Sequence, residues 1–131
     1  MTARRSSGTA GEAAAAYWFA RHGWRMWKVP PDIRVCGQTG RPGVFLAAFK
    51  PGGMPDFLGY NRYGDFMAVE VKECRRNSMP ASRLSQKQRA FLSSLREGQA
   101  HVGVLWRDGK FEVFQFVNQG SYKKSYCPVA E

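Results

Sequence analysis

Residues 53–72 read Gly-Met-Pro-Asp-Phe-Leu-Gly-Tyr-Asn-Arg-Tyr-Gly-Asp-Phe-Met-Ala-Val-Glu-Val-Lys. Two strand-like runs, Asp56–Tyr60 and Phe66–Lys72, flank Asn61-Arg62-Tyr63-Gly64, a connection of hairpin size. Side chains alternate across a strand, so Glu70 and Lys72 share one face. Met67, Val69 and Val71 then point the other way, into a core. A hairpin of these two runs sets Asp56, at the mouth of the first, alongside Glu70 on the second. Acids are scarce, 10 Asp plus Glu against 20 Lys plus Arg, so this placement is informative.

Upstream, Trp24–Val29 alternates bulky apolar with basic residues and is closed by Pro30-Pro31, the pattern of a strand. Before it, Thr9-Ala10-Gly11-Glu12 has capping-box spacing, and Ala13, Ala16, Tyr17 and Ala20 fall on one helical face, with Gly23 as the stop. Residues 32–53 are rich in Gly and Pro around the apolar run Val44–Phe49, and predict a long loop or an extra hairpin. Downstream, Arg75–Arg83 reads as a basic loop. Ser85 opens a second helix with Gln88 at the capping-box position, Leu84, Phe91, Leu92 and Leu95 on its buried side, and Gly98 at its end. His101–Trp106 and Lys110–Phe116 form a closing hairpin across Arg107-Asp108-Gly109.

The domain plan is a flexible basic arm over 1–8, one domain over 9–117 carrying an insertion at 32–53, and a polar, basic, mobile tail over 118–131. The order of helix, three strands, helix and two strands predicts one α/β sheet.

With 131 residues and 44% hydrophobic content, the chain buries one core, and wholesale disorder is excluded. The net charge of +10 points to a polyanionic partner, nucleic acid ahead of a membrane. No apolar run is long enough to span a bilayer. Arg4-Arg5 before the Ala13–Ala20 run imitates a signal peptide, but Glu12 interrupts the join and no small-residue cleavage site follows. Three scattered cysteines without a CxxC, and two histidines away from zinc-ligand spacing, fit a reduced cytoplasmic compartment.

Two carboxylates and an ammonium on a basic surface are what metal-assisted phosphodiester hydrolysis requires. Hard oxygen ligands suit Mg²⁺, with Mn²⁺ as a substitute. Such an ion activates water and neutralises charge on phosphorus, while Lys72 orients the water or stabilises the transition state. Each residue also has a plainer reading. Asp56 is then a turn aspartate after proline, and Glu70 with Lys72 an exposed charge pair. Glu12 and Gln88 are then helix caps. The basic residues are a solvated face, and Tyr17, Trp18, Trp24 and Trp27 pack a core, with base stacking or a dimer interface as lesser alternatives.

Gly53-Met54-Pro55-Asp56 followed by Glu70-Val71-Lys72 resembles the PD-(D/E)xK nuclease superfamily. The helix, three strands, helix, strand order is also that superfamily's restriction-endonuclease-like αβββαβ core, a mixed sheet flanked by two helices. Gly8-Thr9-Ala10-Gly11-Glu12 is similar to small archaeal and phage-type Holliday junction resolvases. Leu84-Ser85-Gln86-Lys87-Gln88 resembles the helix start shared by those resolvases and the virus-type replication-repair nucleases. The resemblance covers residues 8–106 and departs from a minimal core at 32–53. It implies Glu12, Asp56, Glu70, Lys72 and Gln88 as catalytic residues. For the metal it implies Glu12, Asp56, Glu70 and the Val71 backbone carbonyl.

Arg4, Arg5, Arg75, Arg76, Arg83, Lys87 and Arg89 are candidate DNA-phosphate contacts. The expected protein is a homodimeric resolvase of prokaryotic or phage origin making paired nicks in four-way junctions, with Val44–Phe49 and exposed tryptophans as candidate interface. Two rivals stand beside it: a flap-cutting replication-repair nuclease, and a basic nucleic-acid-binding module without catalysis.

Overall fold

A computed structural model of the chain describes residues 9–29, 32–37, 44–49 and 53–125. Helix α1 (Thr9–Arg21) leads into strand β1 (Trp24–Lys28). Strands β2 (Asp32–Gly37) and β3 (Val44–Phe49) pair antiparallel as a separate two-stranded ribbon, so of the two forms expected for this insertion it takes the hairpin-like one. Strands β4 (Phe57–Asn61) and β5 (Phe66–Cys74) follow, then β6 (Ser78–Pro80), a 3₁₀ turn at Ala81–Arg83, and helix α2 (Gln86–Ser93). Strands β7 (Ala100–Trp106), β8 (Phe111–Gln115) and β9 (Ser121–Lys123) close the chain.

The main sheet has the order β1-β4-β5-β7-β8, antiparallel throughout except for β5 against β7. A parallel pair needs a crossover, and α2 supplies it. Removing the β2–β3 ribbon leaves the expected helix, three strands, helix, strand order around a mixed sheet.

Strand alternation splits the core in two. Met67 and Val69 of β5 pack with Ala15 and Phe19 of α1 and with Phe57. On the opposite face Val102, Val104 and Trp106 pack with Leu84 and Leu92 around α2. Each such fully buried aliphatic side chain contributes about 1.5–3 kcal/mol.

The face predicted for α1 is the wrong one for packing. Ala13, Ala16, Tyr17 and Ala20 are exposed, and Gly11, Ala15 and Phe19 are buried. The helix is apolar nearly all round, so periodicity alone does not choose its inner stripe. Gly11 gives a close approach there, since a Cβ would meet Val71 Cγ1 at 3.0 Å and the valine would have to yield.

Two further expectations are corrected. The segment after Arg75 is not all loop, because Ser78–Pro80 pairs with Ser121–Lys123 as a small sheet. The tail expected to be mobile from Asn118 is held there: Tyr122 is 3% exposed, and its hydroxyl donates to the Val117 carbonyl at 3.0 Å. An aromatic in a polar stretch joins a hydrophobic cluster that local composition does not disclose. Helix α2 also ends at Ser93, short of Gly98, as the chain tightens with Leu95 N–H donating to the Leu92 carbonyl.

Candidate active site

The pairing of Phe57 with Val69 places Asp56 level with Glu70 across the β4–β5 ladder. Asp56 is 8% exposed and Glu70 3%, two acids buried side by side in a protein of net charge +10. Burying charge is costly unless it is compensated, so each carboxylate is held by specific donors. The Val71 amide donates to Asp56 Oδ2 at 2.8 Å, and the Asp56 carbonyl accepts from Val29 N–H at 2.8 Å. Asp56 is therefore fixed by β5 through its side chain and by the end of β1 through its backbone.

Glu70 faces α2. Its Oε2 accepts from Gln88 Nε2 at 2.9 Å and lies 3.7 Å from Lys72 Nζ. The expected shared face of Glu70 and Lys72 is thus observed, with Val102 and Val104 of β7 beside them in register. Gln88 also completes a capping box with Ser85. The cap is thus observed, and the same side-chain amide reaches Glu70. The turn carrying Asp56 packs on the same helix: Gly53 has φ +90°, and a Cβ there would sit 2.6 Å from the Lys87 carbonyl oxygen. Only glycine allows that approach.

Glu12 is placed differently. It forms an ion pair with Lys28 at 2.9 Å, on a helix packed against the opposite face of the sheet. Among the described residues no group of three His, Cys, Asp or Glu side chains converges as a metal site. The structure therefore brings Asp56, Glu70, Lys72 and Gln88 together and leaves Glu12 beside Lys28. Reading from sequence missed Glu73, whose Oε2 accepts from Gly11 N–H at 3.1 Å and fastens α1 to the motif strand.

Two buried oxygen-donor carboxylates, with the Val71 peptide against one of them, fit a Mg²⁺-type ion that keeps several waters and takes few protein ligands. Asp56, Glu70 and the Val71 carbonyl are the groups that would hold it.

Of the basic candidates, Arg75, Arg76 and Arg83 line one surface cleft together, with Arg83 Nη2 donating to the Glu73 carbonyl at 3.1 Å. Lys87 is exposed and Arg89 half-buried on α2. Arg4 and Arg5 lie outside the described residues, as do the side chains of Val44–Phe49. Arg107 is an addition. Cys74 and Trp106 are the last paired residues of the parallel strands β5 and β7, so Arg75 and Arg107 leave them side by side. Both are exposed on a single cleft. The signal that finds Arg107 is strand register, which requires knowing that β5 and β7 are neighbours. Trp18 and Trp24 are half-buried against the core, whereas Trp27 and Tyr17 are 57% and 66% exposed.

Residues 49–107 match the VRR-NUC domain, and the matched stretch contains Asp56, Glu70, Lys72 and Gln88. The fold also superposes on Hjc, a Holliday junction resolvase from the archaeal hyperthermophile Archaeoglobus fulgidus. That match has a TM-score of 0.53 and 16% identity, covering 88% of each chain. The chain shares that resolvase's restriction-endonuclease-like fold. No curated protein sequence matches the chain. Within this fold, β5 carries the Glu-x-Lys pair and α2 supplies the amide that holds its glutamate. The domain match begins at the last residue of β3 and omits α1 and β1.

Proposed function

We propose that the protein is a divalent-metal-dependent endodeoxyribonuclease that hydrolyses phosphodiester bonds in branched DNA, acting as a homodimer to place paired nicks in four-way junctions. The observation that carries this reading is the constellation of Asp56, Glu70 and Lys72 with Gln88, in a fold shared with a junction resolvase. Mg²⁺ is the proposed ion, with Mn²⁺ in its place when supplied. When bound, such an ion supplies charge neutralisation at phosphate and a more acidic water.

The chain's own residues do the rest. The Val71 amide orients Asp56, and Gln88 orients Glu70, so both carboxylates are preorganised. Lys72 sets an ammonium beside Glu70, where it orients the attacking water and offsets negative charge developing on the phosphoryl oxygens. Arg75, Arg76, Arg83 and Arg107 hold flanking phosphates, a mode that reads shape and charge rather than sequence. Two-fold symmetry of a dimer matches paired cuts in a symmetric junction. No helix among the described residues is long and apolar enough to cross a membrane. We place the protein in the cytoplasm of a prokaryotic or phage-infected cell.

The VRR-NUC match supports a second reading, a structure-specific nuclease acting on flaps. One assay separates these and the non-catalytic binder. Labelled four-way junction, flap, duplex and single strand are incubated with Mg²⁺, with Asp56→Ala as control. Paired nicks near the junction centre, absent in the variant, support the resolvase. Flap cutting with the junction spared supports the second reading. Binding without any cleavage in Mg²⁺ or Mn²⁺ overturns both.

A further inference from the structure

The sheet face that carries Glu70 and Lys72 does not stop at β5. Pairing of Trp27 with Leu58, and of Leu58 with Ala68, puts Trp27 on that face. Pairing of Arg25 with Tyr60 adds those two residues to it. Helix α2 covers the β5–β7 side, and over β1 and β4 two aromatics of that face stand exposed, Trp27 at 57% and Tyr60 at 44%. Their ring centroids lie 5.7 Å apart with planes tilted by 36°. Exposed Arg25 stands beside them, and Arg62 lies 5.0 Å from the Tyr63 ring where the β4–β5 turn begins.

Large aromatics left in water on a strand are expensive unless something covers them. The patch is two rings wide, far from the roughly 800 Å² per partner that a stable protein interface buries. It is flanked by arginines on a chain of net charge +10, so a second copy meets like charge there and a polyanion meets opposite charge. Trp27 sits two strands across and two residues along from Glu70, about 12 Å between Cα atoms at ordinary strand spacings. That is a distance of a few nucleotides from a phosphate held at Asp56 and Glu70.

We infer that Trp27 and Tyr60 form a stacking platform for unpaired nucleobases of the branched substrate, with Arg25 holding the backbone beside them. Base stacking on aromatic faces is sequence-tolerant, which suits recognition of a branch rather than of a base order. The inference deepens the nuclease reading above and rests on it.

The test measures binding in EDTA, where no cleavage intervenes, using a fluorescent flap DNA with a short unpaired thymidine tract and a flush duplex of equal length. Trp27→Leu and Tyr60→Leu are each expected to weaken flap binding by about tenfold while duplex binding changes by less than about twofold, and Trp27→Phe to retain most of the affinity. Trp27 is 57% exposed and Tyr60 44%, and melting temperature serves as the folding control. Equal loss on both DNAs, or no loss on the flap, overturns the platform. So does conversion of a dimer to monomer by Trp27→Leu in sedimentation, which would assign the patch to a second copy. A wild-type protein that prefers the flap in EDTA but cuts nothing in Mg²⁺ leaves the platform standing and removes the nuclease reading.

Discussion

Gln88 holds Glu70 through an amide whose orientation is already decided. Gln88 Oε1 accepts from Ser85 N–H at 2.9 Å at the start of α2, which turns Nε2 toward Glu70 Oε2, also at 2.9 Å. A cap that the helix needs for its own end thereby supplies a donor to the buried acid of the neighbouring strand. The Ser85 hydroxyl closes the box by accepting from Gln88 N–H at 3.1 Å.

Ser85→Ala and Gln88→Ala separate the two duties. Ser85→Ala removes a cap and is expected to lower stability by about 1 kcal/mol while leaving cleavage within about twofold. Gln88→Ala removes the cap and a hydrogen bond to a charged group, costing about 2 kcal/mol, and is expected to slow cleavage at least about tenfold. Urea melts and single-turnover rates check both. Equal slowing in the two variants would reduce Gln88 to a cap.

Asp56→Asn keeps an oxygen able to accept from Val71 N–H while removing one of two adjacent buried charges. Without metal, the variant is expected to melt at or above the wild-type temperature, and its cleavage to fall by roughly a thousandfold. Added Mg²⁺ should raise the melting temperature of the wild type and not of the variant, since only a ligand that binds the native state stabilises it. A variant that melts lower, or still responds to Mg²⁺, would remove Asp56 from the metal site.

Arg75→Ala and Arg107→Ala alter exposed side chains at the ends of β5 and β7. Each is expected to reduce the slope of log binding constant against log salt by about 1, with cleavage position and folding stability unchanged. Salt titrations of DNA binding provide the check. An unchanged slope for Arg107→Ala would exclude that residue from the phosphate path.

Burial pushes the His101 imidazole below its ordinary value of 6.5, against a smaller opposing contribution from the Gln99 backbone. Asp65, Arg96 and Glu97 line the same cleft. The folded protein thus holds His101 neutral where the unfolded chain has begun to take a proton. Stability is full above the unfolded value near 6.5 and declines as pH falls below it, until the folded value is passed. His101→Gln should flatten that decline. Thermal melts between about pH 7.5 and pH 5 measure it, and parallel curves for the two proteins would remove His101 as the cause.

The sequence by itself determined what lies within one element or one tight hairpin. Asp56, Glu70 and Lys72 were legible because a strand has period two and a short turn fixes register, so their common face follows from local geometry. The start of α2 was legible from its capping residues, and the Ser85–Gln88 box formed as spaced. Tertiary structure decided everything that depends on which distant elements meet. The inner stripe of the largely apolar α1, the burial of Tyr122 and the ion pair of Glu12 with Lys28 each join separate elements of the chain. The meeting of Gln88 with Glu70, and of Arg75 with Arg107, follows from the parallel pairing of β5 and β7, which α2 must bridge. Local pattern sets the direction of a side chain relative to its own strand or helix. Packing of the whole chain, where burial outweighs local preference, sets what that side chain meets.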